Sequence, residues 1–214
     1  MIKLYDYELS GNCYKIRLIL SFLNLSYEKI HIEFYPSEEH KSEDFLQINP
    51  LGQLPVISDN GFILRDAQAI LVYLASKYDK GGTWYPLENP DKIGMISQWL
   101  AFGDSLTGSA SAARLHDTLC YHHFNIEKCR SAAHSQFRIL DEHLFFQEEL
   151  GNDWICDGAR PTIADIACFP YIALSEDGGI SRISYPAIRR WLDRFKRIER
   201  FSVMSGVFPA GPGI

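Results

Sequence analysis

The sequence predicts an α/β segment followed by an all-helical one. Three observations carry this. Short apolar runs of strand length alternate with runs of helical spacing over residues 1–80. A stretch rich in Gly and Pro, KGGTWYPLENP, follows at residues 80–90. Beyond it the apolar patterns all have helical spacing and none reads as a strand. The boundaries are 1–80 for the α/β part, 81–90 for a linker and 91–214 for the helical part.

Each element has its own warrant. IKLYD, residues 2–6, is short and bounded by polar residues, which reads as a strand. CYKIRLILSFLNL, residues 13–25, sets Ile16, Ile19, Leu20 and Leu23 on one helical face. Leu18 and Phe22 add a second face, so this helix is expected to be covered on two sides. KIHIEF, residues 29–34, alternates Ile30, Ile32 and Phe34 as a strand does. Residues 35–54 read as a loosely structured connection. PVISDNGFILR places two apolar runs around Asp59-Asn60-Gly61, a hairpin signal. DAQAILVYLASKY is a helix with Ile70, Tyr73, Leu74 and Lys77 in step. The expected unit is one right-handed strand–helix–strand crossover, with the hairpin adding antiparallel strands to the same sheet.

The second half offers five helical segments. They are IGMISQWLAFGDSL, SAARLHDTLCYHH, IEKCRSAAHSQFRILDEHLFFQEEL, PTIADIACFPYIAL and PAIRRWLDRFKRI. The fourth opens with a capping box: Thr162 can accept from the Asp165 N–H, and the Asp165 carboxylate can accept from Thr162 in return.

Composition narrows the function classes. Of 214 residues, 46% are hydrophobic and 22% charged, an ordinary globular balance. A formal charge of −6 and the lack of a basic run argue against nucleic acid as a partner. The longest apolar run, AILVYLA, is too short to cross a bilayer, so no membrane is expected. The first residues lack a secretory pattern, and the five cysteines are an odd number. Both fit free thiols in a reducing cytoplasm.

Three short stretches carry chemistry. LSGNCYKIRL, residues 9–18, places Ser10, Asn12 and Cys13 where the first strand hands over to a helix. Free N–H groups and the helix dipole favour negative charge there. A thiol near such an end and a hydroxyl donor shifts toward ionisation. That thiol is either Cys13 or belongs to a bound ligand, with Ser10 donating to it; the blander alternative makes Ser10 and Asn12 helix caps. INPLGQLPVI, residues 48–57, opens a strand with Pro55. If the Leu54–Pro55 bond is cis, the Leu54 backbone turns outward and is free to pair with a peptide-like ligand. LRDAQAI, residues 64–70, puts Asp66 and Ala67 at another helix start, where Asp66 either caps the helix or accepts from a ligand ammonium.

These motifs, in this order and joined to PTIADIA, resemble the cytosolic glutathione S-transferase family in its bacterial, serine-type branch, near the theta, delta, beta and nu-like classes. The resemblance implies a thioredoxin-like N-terminal domain binding glutathione as co-substrate, no prosthetic group and no metal. It implies a homodimer with a small, electrophilic, hydrophobic molecule as second substrate. By the same likeness Ser10, with Asn12 beside it, donates to the glutathione thiolate. Gln53, Leu54 and Pro55 meet the cysteinyl unit, and Asp66 and Ala67 hold the γ-glutamyl group. His40 or Lys41 meets the glycyl carboxylate, and Tyr7, Trp99, Phe102 and Arg114 line the second pocket. Ala67 departs from the family's usual serine, so one hydroxyl contact is missing. A reductase using Cys13 and a non-catalytic protein-binding module are the alternatives. Asp104 is weighed as a residue reaching across a two-fold axis or as a plain solvated or capping side chain. CYHHFNIEKC, with Cys120, His122, His123 and Cys129, matches no common zinc spacing and is set aside.

Overall fold

The computed structural model describes residues 1–119 and 121–211. Four strands form one sheet: β1 (Ile2–Asp6), β2 (Tyr27–His31), β3 (Val56–Asp59) and β4 (Phe62–Arg65), in the spatial order β2-β1-β3-β4. β1 and β2 run parallel, and the other two pairings are antiparallel. Side chains alternate across the sheet, so the register decides two cores. Leu4 faces Ile57 across the β1–β3 ladder, and both are buried in the main core. The next pair, Tyr5 and Val56, points to the opposite face and joins Ile32 and Phe45 in a smaller one.

Helix α1 (Gly11–Phe22) follows β1, and helix α3 (Ala67–Tyr78) follows β4. Their apolar residues, among them Ile16, Leu20, Ile70 and Leu74, belong to the main core. Residues 35–54 are more ordered than the sequence suggests. A 3-10 turn at Glu39–Lys41 leads into helix α2 (Glu43–Ile48), whose Phe45 seals the smaller core. The second strand also ends three residues earlier than its alternation predicts. Its parallel partner stops at Asp6, paired with His31, because the chain then turns toward α1. One further bond, Ile32 N–H to the Asp6 carbonyl, closes the ladder.

The stretch between α3 and α4 (Pro90–Ser105) carries no helix or strand, yet it is not loose. Trp84 stacks on Phe22 at 4.9 Å, and its carbonyl accepts from the Ile163 N–H at 3.0 Å. A π-helical turn, Thr107–Ser111, joins α4 to α5 (Ala112–Thr118). Then come α6 (Ile126–Glu149), α7 (Ile163–Ala173) and α8 (Pro186–Lys196). The expected helix through His123 stops at Thr118, and His122 lies in a turn where its ring meets His116. Cys120 lies outside the described residues.

Helix α7 is buried along its whole length and packs against α1 and α4. Its capping box forms as expected, with the Asp165 carboxylate accepting from the Thr162 N–H at 2.8 Å. Asp165 also accepts from the Ile155 N–H and the Trp191 indole, so its buried charge meets three donors. No described helix is long and apolar enough to cross a membrane.

Candidate active site

A cavity of about 610 Å³ opens where the sheet's helix starts meet the α4–α5 corner. Its size suits a small molecule or short peptide. One wall is the start of α1. Ser10 is the N-cap there, in extended conformation, and its Oγ accepts from the Cys13 N–H at 3.2 Å. Ser10 also lines the cavity. The first N–H groups of a helix have no intrahelical acceptor, so this wall is a place for an anion. Asn12 lines the same wall, with its Oδ1 buried and unpartnered among the described residues. Between them Gly11 is required by packing: a Cβ there would fall 2.4 Å from the Tyr171 ring.

A second wall is the start of α3. Asp66 caps it, its Oδ1 accepting from the Ala69 N–H at 2.9 Å. Its φ of 75° is rare for a residue with a side chain. Strain of this kind costs on the order of 1–3 kcal/mol and gathers at functional sites. Ala67, buried beside it, also lines the cavity. Asp104 of α4 brings a second carboxylate to the cavity and accepts from the Gln68 amide at 3.1 Å. Gln53, Leu54 and Pro55 form the edge between the two helix starts, and the Leu54–Pro55 bond is cis.

The remaining side comes from the helical part. Ser111, Leu115 and Leu119 recur every fourth residue from the end of the π-helical turn, through α5, to its C-cap, and line the cavity with Leu9, Phe34 and Tyr171. Arg114 is buried there. It donates to the Leu9 carbonyl at 2.6 Å and to Asp177 at 3.1 Å, fastening α5 to the loop before α1. Tyr7 lines the cavity too. Burial and the nearby Glu33 raise its hydroxyl pKa, against the pull of Arg114, so it stays a neutral phenol.

Residues 4–83 match the model of the glutathione S-transferase N-terminal domain family. Glutathione S-transferase 1 of Manduca sexta is 26% identical over 207 residues, covering 93% of this chain and 89% of that protein. Glutathione S-transferase D7 of Drosophila melanogaster is 25% identical over 205 residues, covering 92% and 85%. A crystal structure of a glutathione S-transferase from Pseudomonas fluorescens superposes with a TM-score of 0.84 at 27% identity, covering 95% of this chain and 98% of that one. The family model covers the N-terminal part, and the likeness to glutathione S-transferases in sequence and fold runs along nearly the whole chain.

In this chain the cavity gathers Tyr7, Ser10, Asn12, Gln53, Leu54, Pro55, Asp66, Ala67 and Arg114. Five expected residues lie elsewhere. Cys13 is fully buried, with its sulfur accepting from the Tyr7 N–H at 3.5 Å. Burial, aided by Asp6, pushes its thiol up to about 12, so it is no activated nucleophile despite its helix end. His40 is buried against Phe34, rings stacked at 4.1 Å, and burial lowers its pKa, so it offers no charge. Lys41 faces solvent and pairs with Glu38 at 2.6 Å. Trp99 and Phe102 pack on each other, and Trp99 also meets His143 of α6. At about 100° per residue they fall on the side of α4 away from Asp104.

Asp104 itself stands on its own chain's cavity wall. The residues that the motifs did not reveal include Phe34, Ser111, Leu115, Leu119 and Tyr171. The four-residue spacing of Ser111, Leu115 and Leu119 is visible in SASAARLHDTL, but nothing local says which face it presents. Among the described residues no group of three or more His, Cys, Asp or Glu is arranged to hold a metal.

Proposed function

We propose that this chain is a glutathione transferase whose cavity ionises the thiol of glutathione. The carrying observation is the convergence of two helix starts on one cavity, Ser10 on the first and Asp66-Ala67 on the second. Glutathione lies extended along Leu54. Its γ-glutamyl head meets the start of α3, where N–H groups suit its carboxylate and Asp66 and Asp104 suit its ammonium. Its sulfur lies at the start of α1, where the Ser10 hydroxyl and the helix dipole stabilise the thiolate. The thiol proton passes to solvent. The thiolate then attacks an electrophilic carbon held against Leu115, Leu119, Phe34 and Tyr171; with an aryl halide the carbon–sulfur bond forms as halide leaves. The residue ranges 1–80 and 91–214 correspond to the glutathione-binding and helical units of this scheme, and two copies pair as a homodimer. The cytoplasm, rich in glutathione and reducing, suits the reaction.

The test is the Ser10→Ala variant. A hydrogen bond to a charged group is worth roughly 1.5–3 kcal/mol, so kcat with a generic aryl halide falls by about tenfold or more. Glutathione affinity changes less, because the hydroxyl acts on the thiolate rather than on the peptide. An unchanged kcat would hand the role to Tyr7 or Asn12.

A further inference from the structure

Lys15 has no place in the scheme so far. It sits one turn into α1, fully buried, and its Nζ has no hydrogen-bond partner among the described residues. Buried ammonium groups are costly unless paired, so an unpaired one calls for a reason. The groups around it come from three elements. The Tyr171 ring of α7 lies under the ammonium at 5.0 Å, and Cys168 of α7 is beside it. Asp66 at the start of α3 and Asp104 of α4 both act on its charge. Tyr171, Asp66 and Asp104 all line the cavity. Lys15 is thus placed behind the Tyr171 ring, which separates its ammonium from the cavity, with Asp66 and Asp104 within electrostatic reach.

The charges of that wall do not balance without it. If the cavity binds glutathione as proposed above, two carboxylates meet one ligand ammonium, and the peptide itself is net anionic. Arg114 does not supply the missing cation, since it is engaged with Asp177 and Leu9. We propose that Lys15 is a positioning residue of the cavity: its buried ammonium offsets one of the two carboxylates, so that the wall accepts an anionic peptide, and it takes up a proton from solvent when that peptide binds. Burial brings the Lys15 pKa down to about 8, against the pull of Cys168, Asp104 and Asp66, so part of the population is neutral when the cavity is empty. An added ligand carboxylate favours the charged form. Affinity for an anionic peptide therefore falls as pH rises through this range.

The inference rests on the glutathione reading, and the experiment separates the two. The probe is S-hexylglutathione, which has no ionisable thiol. Calorimetric titration near pH 8 in two buffers of different ionisation enthalpy counts the protons taken up on binding. The wild type is expected to take up a fraction of a proton. Lys15→Met is expected to bind roughly tenfold more weakly, as loss of one charge at short range implies, and to lose that fraction. Lys15→Arg, charged at every pH used, is expected to recover the affinity without the uptake. A filler of the core would give neither result. If Lys15→Met fails to fold, Lys15→Arg decides alone: proton uptake equal to wild type overturns the proposal, as does a Lys15→Met protein that binds and titrates like wild type. A wild type that does not bind the probe at all overturns the glutathione reading and this inference with it.

Discussion

At Ser10 and Cys13, three residues apart, the same helix end produces opposite outcomes. The Ser10 side chain is on the cavity side, with its oxygen accepting from the helix. The Cys13 sulfur is on the core side, away from solvent, and desolvation outweighs the helix end. In the native protein Cys13 therefore resists a thiol-alkylating reagent, while the unfolded chain reacts. Mass spectrometry of the alkylated peptide reads this, and rapid native labelling at Cys13 would restore the reductase alternative. Ala67 makes a second case. Its side chain lines the cavity beside Asp66, and Ala67→Ser adds one hydroxyl there. Glutathione affinity measured by calorimetry is expected to rise by roughly tenfold, the worth of one hydrogen bond to a charged group. No gain would mean that the carboxylate is already satisfied or that glutathione sits elsewhere. At Gly11 the expected change is structural. Gly11→Ala drives a methyl into the Tyr171 ring and costs about 1–3 kcal/mol in a denaturant titration.

Among the elements, the strands, the first and third helices and the last three helices were legible from local signals: apolar spacing, the Asp59-Asn60-Gly61 turn and the Thr162–Asp165 capping box. Helix α2 was not, although Ser42 caps it and Glu43 and Asp44 fill its first turn. Its one deeply buried apolar residue, Phe45, gives too short a pattern to set a period. The face of α4 was misassigned for a related reason. Trp99 and Phe102 look like pocket walls by chemistry, but Trp99 packs against His143 of α6 and Phe102 against Trp99, leaving Asp104 and Ser105 to the cavity. The tie between β3 and α3 gives a pH prediction. Asp59 is buried and accepts from Lys77, Tyr73 and Tyr78 at 2.6–2.9 Å. Burial alone would raise its pKa, but these donors bring it down to about 2. A carboxyl depressed on folding adds stability above its unfolded pKa, about 3.9, and loses it as pH falls toward 2. Asp59→Asn is expected to lower the melting temperature at pH 7, with the gap from wild type narrowing below about pH 4. A gap that stays constant with pH would remove the charge from this tie.

Across the whole molecule, neither half makes the cavity by itself. The start of α1 and the start of α3 supply polar groups, and α5 and α7 supply the apolar side, with Arg114 holding the two together through Leu9. The motifs revealed the polar half because short motifs encode helix starts. They missed the apolar half because it depends on how α5 and α7 dock, which no local pattern states. The proposed homodimer belongs to this scale: sedimentation equilibrium at micromolar protein is expected to give twice the 24.5 kDa of one chain, and a single species at 24.5 kDa would exclude it. The central claim, that this cavity ionises the glutathione thiol at the start of α1, is tested most directly by ultraviolet titration of bound glutathione. The account predicts thiolate absorbance in the complex at a pH well below the ordinary thiol value of about 8.5, shifted back toward that value in Ser10→Ala. Bound glutathione that titrates like the free thiol in both proteins would contradict it.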